Sequence, residues 1–496
     1  MKKNKTFTNT IFSILLQLVT IISGFIIPRL LLSTFGSEVN GLVSSINQFL
    51  NYITLIEGGL TGVITASLYK PLLNKDKTKI ERIVKATYNF YRKIAYIFLI
   101  YTIALALIYP IIVKTNFSYM YIFTLTLILS VNLFLQYFFS LTLKTLLQAD
   151  KEVKFVSIVQ IICIVLSTML TWGLIKLFPN IHFIKLMTAL VYIIQPIAYD
   201  RFVRKKYNLN LDVEPDKEAL KQRWDGFGIN LAAFIHNNTD IVVLSILTNL
   251  SNVSIYSVYS LVTTGLKRIV QSVSGGIVPS LGHVYASNDK EALNKMFDSF
   301  ELIIFIITFI LFTCGGILIN PFVKVYTLGI NDANYNQPVL GWLLIIAEMT
   351  FCLREPYVNM AYTANKFKEI SKYAYVEAIL NIVLSIILVF KFGMVGVAIG
   401  TVVSLLYRTI CQVYYLKNNI LYRKVQPFVK NLVIFTLSEV VIVIISRLFI
   451  KMDSVSLLGW MIYAIKNVIL TIFAYSIVLF VFYRENIRLL LAKIKK

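Results

Sequence analysis

Lys267 and Arg268 stand side by side in an otherwise apolar stretch. Ser260, Thr263, Thr264, Lys267, Gln271 and Ser274 fall on one face when wound at 100° per residue. An ammonium and a guanidinium placed together can hold a phosphate or pyrophosphate, the guanidinium with two parallel hydrogen bonds. The surrounding Ser, Thr, Gln and Asn groups suit sugar hydroxyls. A second stripe carries Asn40, Ser44, Asn47, Asn51, Thr54, Gly58, Thr61 and Thr65, and a third Thr10, Ser13, Gln17, Thr20 and Gly24. Asn230, Asn237 and Asp240 form a fourth. Two carboxylates, Glu57 and Asp240, lie deep in apolar sequence and are candidates to bind a proton or Na⁺. Arg408 and Glu348 are equally deep, as ion-pair or coupling candidates, and Arg268 is placed to pair with Asp240 or Glu57. Arg29 follows Pro28 and joins the binding candidates, with snorkelling to an interface as its alternative role.

The elements that must position these residues are long apolar runs. Of 496 residues, 57% are hydrophobic and only 15% charged, far from the balance of a soluble domain. A helix needs about 20 apolar residues to cross the hydrocarbon. Fourteen runs qualify: 10–33, 40–68, 88–113, 117–143, 154–176, 183–200, 225–248, 254–284, 299–323, 338–363, 372–390, 394–416, 428–450 and 456–483. The fold class predicted is an all-α polytopic membrane protein. Strict alternation, the mark of a membrane β-barrel, is absent from these runs. Pro28 and Pro356 are expected to kink the first and tenth spans. Isolated Ser, Thr and Asn in membranes commonly join helices. Stripes running the depth of four helices fit a water-filled cavity better.

With the N-terminus cytoplasmic, 35 of the 48 Lys and Arg fall in inner pieces and 6 in outer ones. That asymmetry accounts for most of the +23 net charge and removes the need for a nucleic-acid partner. The expected location is a bacterial cytoplasmic membrane with both termini inside. The chain also repeats itself. QADK (148–151) matches TANK (363–366), KFVSIVQIICIVLSTML (154–170) matches KYAYVEAILNIVLSIIL (372–388), and Asp76 lies near Asp289 in the comparison. The offset spans six helices, so the halves share an orientation and are expected to be related by a pseudo-two-fold along the membrane normal. The predicted organisation is an N-lobe, 1–203; a cytoplasmic linker, 204–224; a C-lobe, 225–418; and two further helices with a basic tail, 419–496.

Cys163, Cys314, Cys352 and Cys411 lie in apolar runs without metal-ligand spacing, and no phosphate-binding loop of the ATPase type occurs. No resident cofactor or metal is called for, beyond a coupling Na⁺ or H⁺. The long outer loop has one acidic residue, Asp332, too few for a membrane glycosyltransferase or polymerase. The expectation is a transporter and not an enzyme.

FIIPRLLLSTFGSEVNGLVSSINQFLNYITLIEGGL (25–60), NTDIVVLSILTNLSNVSIYSVYS (238–260) and FGMVGVAIGT (392–401) resemble the polysaccharide-transport branch of the multidrug/oligosaccharidyl-lipid/polysaccharide (MOP) exporter superfamily. The resemblance implies two six-helix lobes around a central cavity, plus two helices. It implies a flippase that carries undecaprenyl-diphosphate-linked oligosaccharide units of O-antigen, capsule or teichoic acid between leaflets by alternating access. Other polysaccharide-assembly membrane proteins are then expected partners, with the lipid bilayer. The lipid II flippase branch has an arginine and an aspartate adjacent in its first span. Pro28-Arg29-Leu30 departs from that pattern. The competing reading within the superfamily is a cation-coupled drug or small-molecule exporter, against which Lys267 and Arg268 argue.

Overall fold

A computed structural model describes residues 2–57, 60–216, 218, 227–287 and 289–485, with side chains outside the description for 2–7, 60, 227–230, 232, 233, 236 and 237. Among the described residues the chain is helical with no strand. The α-helices are α1 (Lys2–Asn51), α2 (Thr54–Glu57), α3 (Leu60–Asn74), α4 (Lys77–Ile112), α5 (Tyr119–Leu135), α6 (Leu141–Ala149), α7 (Val153–Leu177), α8 (Ile181–Val191) and α9 (Ile194–Tyr207). They continue as α10 (Phe227–Leu247), α11 (Leu250–Ala286), α12 (Lys290–Tyr326), α13 (Pro338–Thr363), α14 (Phe367–Asn419), α15 (Gln426–Phe449) and α16 (Leu457–Phe482). A π-helical turn, Gln136–Ser140, joins α5 to α6.

Nine helical stretches among the described residues are long and apolar enough to cross a membrane, as a polytopic membrane protein requires. Two of them merge predicted spans. α1 bends at Gly36 (φ 82°) and α14 at Gly393 (φ 55°), left-handed positions that glycine adopts without a Cβ clash. The predicted second span is interrupted after Asn51, α11 is not among the nine, and the described part of α10, Asn238–Leu247, is apolar but shorter. Pro28 and Pro356 lie inside α1 and α13, neither of which breaks there.

The chain divides into two compact units: Met1–Phe234 with Thr248–Ser254, and Ile235–Leu247 with Ile255–Lys496. In the first unit α1 packs along α7, with Ser23 Oγ 2.7 Å from Thr168 Oγ1. The Asn9 side chain donates to Lys151 O at 2.8 Å and accepts from Lys154 N at 3.0 Å, clamping the start of α1 to the α6–α7 turn. Lys206 bridges Asp150 and Glu152 at the same rim. The stretch expected as a linker is tied down over 208–216: Asn210 N donates to buried Glu81 (2.7 Å) and Asp216 N to Arg82 O (3.1 Å).

In the second unit α12 is the central element. Phe297, Phe300, Phe305, Phe309 and Phe312 are all fully buried, as expected of a helix that is apolar on every side. It packs against α13, α15 and α16. The two helices outside the repeat therefore dock on it, through Phe435 against Phe305, Phe309 and Tyr475, and through Thr313 Oγ1 at 2.9 Å from Tyr475 Oη. The repeat also recurs in local geometry. Asp76 caps α4 and Asp289 caps α12, while Lys151 and Asn365 take positive φ (61° and 54°) in the matched QADK and TANK turns.

Within the first unit the backbone of Gly41 touches that of Leu250. A Cβ at Gly41 would lie 1.8 Å from the Leu250 carbonyl oxygen, a backbone atom with no rotamer to escape through. Beside it, Asn40 Nδ2 donates to Ser254 Oγ at 2.8 Å. Gly41→Ala is expected to cost about 1–3 kcal/mol, the usual range for overpacking. Gly24→Ala, with nothing within 4 Å, should not. Thermal unfolding of the two purified variants in detergent decides this; equal midpoints would contradict the close contact.

Candidate substrate and coupling sites

The polar stripes are placed unevenly. On α1, Gln17 and Asn47 are exposed, Arg29 is half-buried, and Asn51 donates to Gln48 Oε1 at 3.5 Å, a weak contact. The Asn237 side chain lies outside the described residues, as do Gly58 and the Asn230 side chain. Glu57 takes hydrogen bonds from Thr61 and, at 3.3 Å, from Tyr137. Tyr137 belongs to the π-helical turn, and Tyr91 Oη lies 2.9 Å from Thr61 Oγ1. Wide turns of this kind are frequent where a helix re-aims a side chain.

In the second unit α11 presents neighbouring faces. Thr263 is buried, Lys267 is 6% exposed and Arg268 is exposed. Lys267 Nζ donates to Glu348 Oε1 at 2.9 Å and lies 5.0 Å above the Phe351 ring. One turn on, Gln271 Nε2 reaches Glu355 Oε1 at 3.3 Å, and Asn359 Nδ2 reaches Glu355 Oε2 at 3.1 Å. The lysine expected as an open cationic ligand is thus charge-compensated within its own unit.

Asp240 takes partners other than Arg268 or Glu57. Its carboxylate accepts from Tyr256 Oη and from Thr401 Oγ1, the latter at 3.0 and 2.9 Å to its two oxygens. Thr401 in turn accepts from Asn381 Nδ2 at 2.9 Å. Every donor to Asp240 is neutral, and among the described residues no cation lies within ion-pair distance of it. Asn381 Oδ1 is buried with no hydrogen-bond partner. Carboxylate, hydroxyl and amide oxygens gathered in this way are hard donors suited to a proton or a small hard cation such as Na⁺.

Arg408 also departs from its expected company. Its partner is Glu377, which also binds Arg354; both guanidiniums meet Oε2, at 2.7 and 3.0 Å. Glu377, Asn381 and Ser385 lie at i, i+4 and i+8 on the first half of α14, and Thr401, Ser404, Arg408 and Gln412 occupy the buried face of the second half. Sequence reasoning missed Glu377, Asn381 and Thr401. The four-residue spacing of Glu377 and Asn381 was visible, but it fell inside the stretch matched to the first half, and Thr401 lies beyond that stretch. Within that match, at its offset of 218, the first half has Val159 for Glu377 and Cys163 for Asn381. The Glu377 end of the ladder therefore has no counterpart in the first half.

With the geometry in place, comparison with solved structures is informative. No family model matches the chain, and no curated protein matches it. A structure of the lipid II flippase MurJ in an inward closed conformation superposes with a TM-score of 0.75 at 15% identity, over 96% of this chain and 100% of that one. An inward-facing multidrug resistance MATE transporter of the MOP superfamily gives 0.61 at 14% identity, covering 81% of this chain and 95% of its own. A eukaryotic MATE transporter gives 0.60 at 13%, covering 83% and 95%. The fold is that of MOP-superfamily transporters.

Deleting one partner of a buried ion pair typically costs about 3–5 kcal/mol, because the survivor stays buried and unpaired. Glu377→Gln strands two guanidiniums and should lower the unfolding midpoint strongly. Lys295→Ala, which breaks the exposed Lys295–Glu291 pair, should leave it unchanged. If Glu377→Gln unfolded no earlier than wild type, the two arginines would have other compensation.

Proposed function

We propose that this protein is a cation-coupled flippase for a polyprenyl-diphosphate-linked oligosaccharide, an undecaprenyl-linked surface-glycan precursor, working by alternating access. The observation that carries the reading is the superposition on the lipid II flippase over nearly the full length of both chains, with MATE transporters covering about four fifths of this one. Pro28-Arg29-Leu30 supports a glycan other than lipid II. Arg268, exposed on α11 beside Gln271, is the group proposed to hold the diphosphate, with Arg29, Gln17, Asn47 and Asn51 as further ligands. Lys267 is assigned the supporting role of fixing that face of α11 through Glu348. Asp240, with Asn381 and Thr401, is proposed as the coupling site for Na⁺ or H⁺.

The Lys267–Glu348 pair also favours a second reading, export of small cationic compounds, because it cancels one of the two charges that argued against it. Reconstitution separates the two. In proteoliposomes loaded with a prenyl-diphosphate oligosaccharide, wild type should expose the glycan to an external glycan-cleaving enzyme under an imposed Na⁺ or pH gradient. Arg268→Ala should slow this at least tenfold, and Asp240→Asn should remove the gradient dependence. Gradient-driven release of a cationic dye without glycan exposure would establish the second reading instead.

A further inference from the structure

The caps that mark the repeat also align two helices residue by residue. Asp76 caps α4 and Asp289 caps α12, and the helices run on for 36 and 37 residues. Counted from the caps, Arg92 holds the place of Phe305, and Tyr96 that of Phe309. On α12 those two positions are fully buried, and Phe435 of α15 packs on both. On α4 the same face is open: Tyr96 is 54% exposed, and Leu99 and Ile103 are each 45% exposed. In a membrane protein such an apolar face is covered by lipid chains. This one begins with a cation.

The Arg92 guanidinium carbon lies 4.6 Å from the centre of the Tyr88 ring and 4.5 Å from that of Phe138, which the π-helical turn contributes. Ring contacts of this kind position a guanidinium but leave its N–H groups unbonded. Among the described residues no carboxylate pairs with Arg92, and its Nε is buried without a hydrogen-bond partner. Glu57 is engaged with Tyr137 and, through Thr61, with fully buried Tyr91, on the inner side of α4. Lys85 and Asn89 stand seven and three residues before Arg92 on the same side of the helix, and Tyr96, Leu99 and Ile103 continue that side four, seven and eleven residues after it. Ammonium, amide and guanidinium donors in a row match the oxygens of a phosphate, the guanidinium taking two at once. Arg92 to Ile103 spans about 16 Å of helix, roughly half of the ~30 Å hydrocarbon layer, which is the depth of one leaflet. We infer that this face of α4 binds one glycerophospholipid with an anionic headgroup, its phosphate on Arg92, Lys85 and Asn89 and an acyl chain along Tyr96, Leu99 and Ile103. The lipid takes on α4 the place that α15 takes on α12. Two cations, neither paired with a carboxylate among the described residues, favour a net negative headgroup over a zwitterionic one. The site is independent of the proposed transport substrate.

The test uses the purified full chain in detergent. Bound lipid is counted by native mass spectrometry, and the unfolding midpoint is followed as phosphatidylglycerol or phosphatidylcholine is added. Wild type should retain one phosphatidylglycerol and be stabilised by it more than by phosphatidylcholine. Arg92→Gln should weaken that binding at least tenfold. Lys93→Gln, which removes an exposed charge 100° round the helix, should leave it unchanged. Should Arg92→Gln fail to fold, the double variant Lys85→Gln with Asn89→Ala reads the same headgroup site and should also bind more weakly. Equal retention of phosphatidylglycerol by wild type and these variants would overturn the site, and so would equal stabilisation by inorganic phosphate alone. Arg92-dependent binding of geranylgeranyl diphosphate, tighter than that of phosphatidylglycerol, would assign the face to a prenyl diphosphate and overturn the phospholipid.

Discussion

A charge inside a membrane protein has to be answered by the protein, because neither the lipid nor a packed core solvates it. The second unit of this molecule is arranged around that constraint. Lys267 is answered by Glu348, two arginines by Glu377, and Glu355 by two amides. Asp240 is answered, among the described residues, by neutral groups, chiefly the hydroxyls of Tyr256 and Thr401. The groups come from α10, α11, α13 and both halves of α14, so none of these helices can shift alone without separating a charge from its partner. Kinks at defined points, Gly393 above all, let one long element contribute two faces to the same network.

This explains which parts of the site could be read from sequence. Helical spans are legible because length and apolarity are what the bilayer demands. Lys267, Asp240, Glu348 and Arg408 stood out because each lies deep in apolar sequence, Lys267 beside Arg268. Their partners did not stand out, since pairing joins residues 81 and 31 positions apart, on different helices. Periodicity reports which face a residue occupies, and says nothing of which neighbouring helix meets that face. The stripe on the second predicted span shows the limit from the other side: Asn40 is buried against Ser254, Asn47 is exposed, and the helix breaks after Asn51 before the stripe is complete. The single-helix reading assumed a continuous cylinder that the backbone does not keep.

The repeat was legible for a different reason. Turns and caps are local, so Asp76 and Asp289 reappear because the same short geometry needs the same kind of residue, and each matched turn carries one positive-φ residue, Lys151 or Asn365, one position apart in the match. Interior chemistry is under no such local rule. Glu377 and Asn381 of the second half stand where Val159 and Cys163 stand in the matched stretch of the first.

The first half has a polar interior of another kind, and the contrast bears on mechanism. There Glu57 meets Thr61 and Tyr137, and Thr61 meets Tyr91. Neutral hydroxyls can exchange partners at little electrostatic cost, whereas separating Glu377 from two arginines leaves bare charges. The wide turn at Gln136–Ser140 adds slack to the helix that carries Tyr137. The two polar cores differ in kind: ion pairs on Glu377 in the second unit, and hydroxyl contacts around Glu57 in the first. A unit charge added or removed beside the Glu377 pairs costs more than an exchange of hydroxyl partners around Glu57.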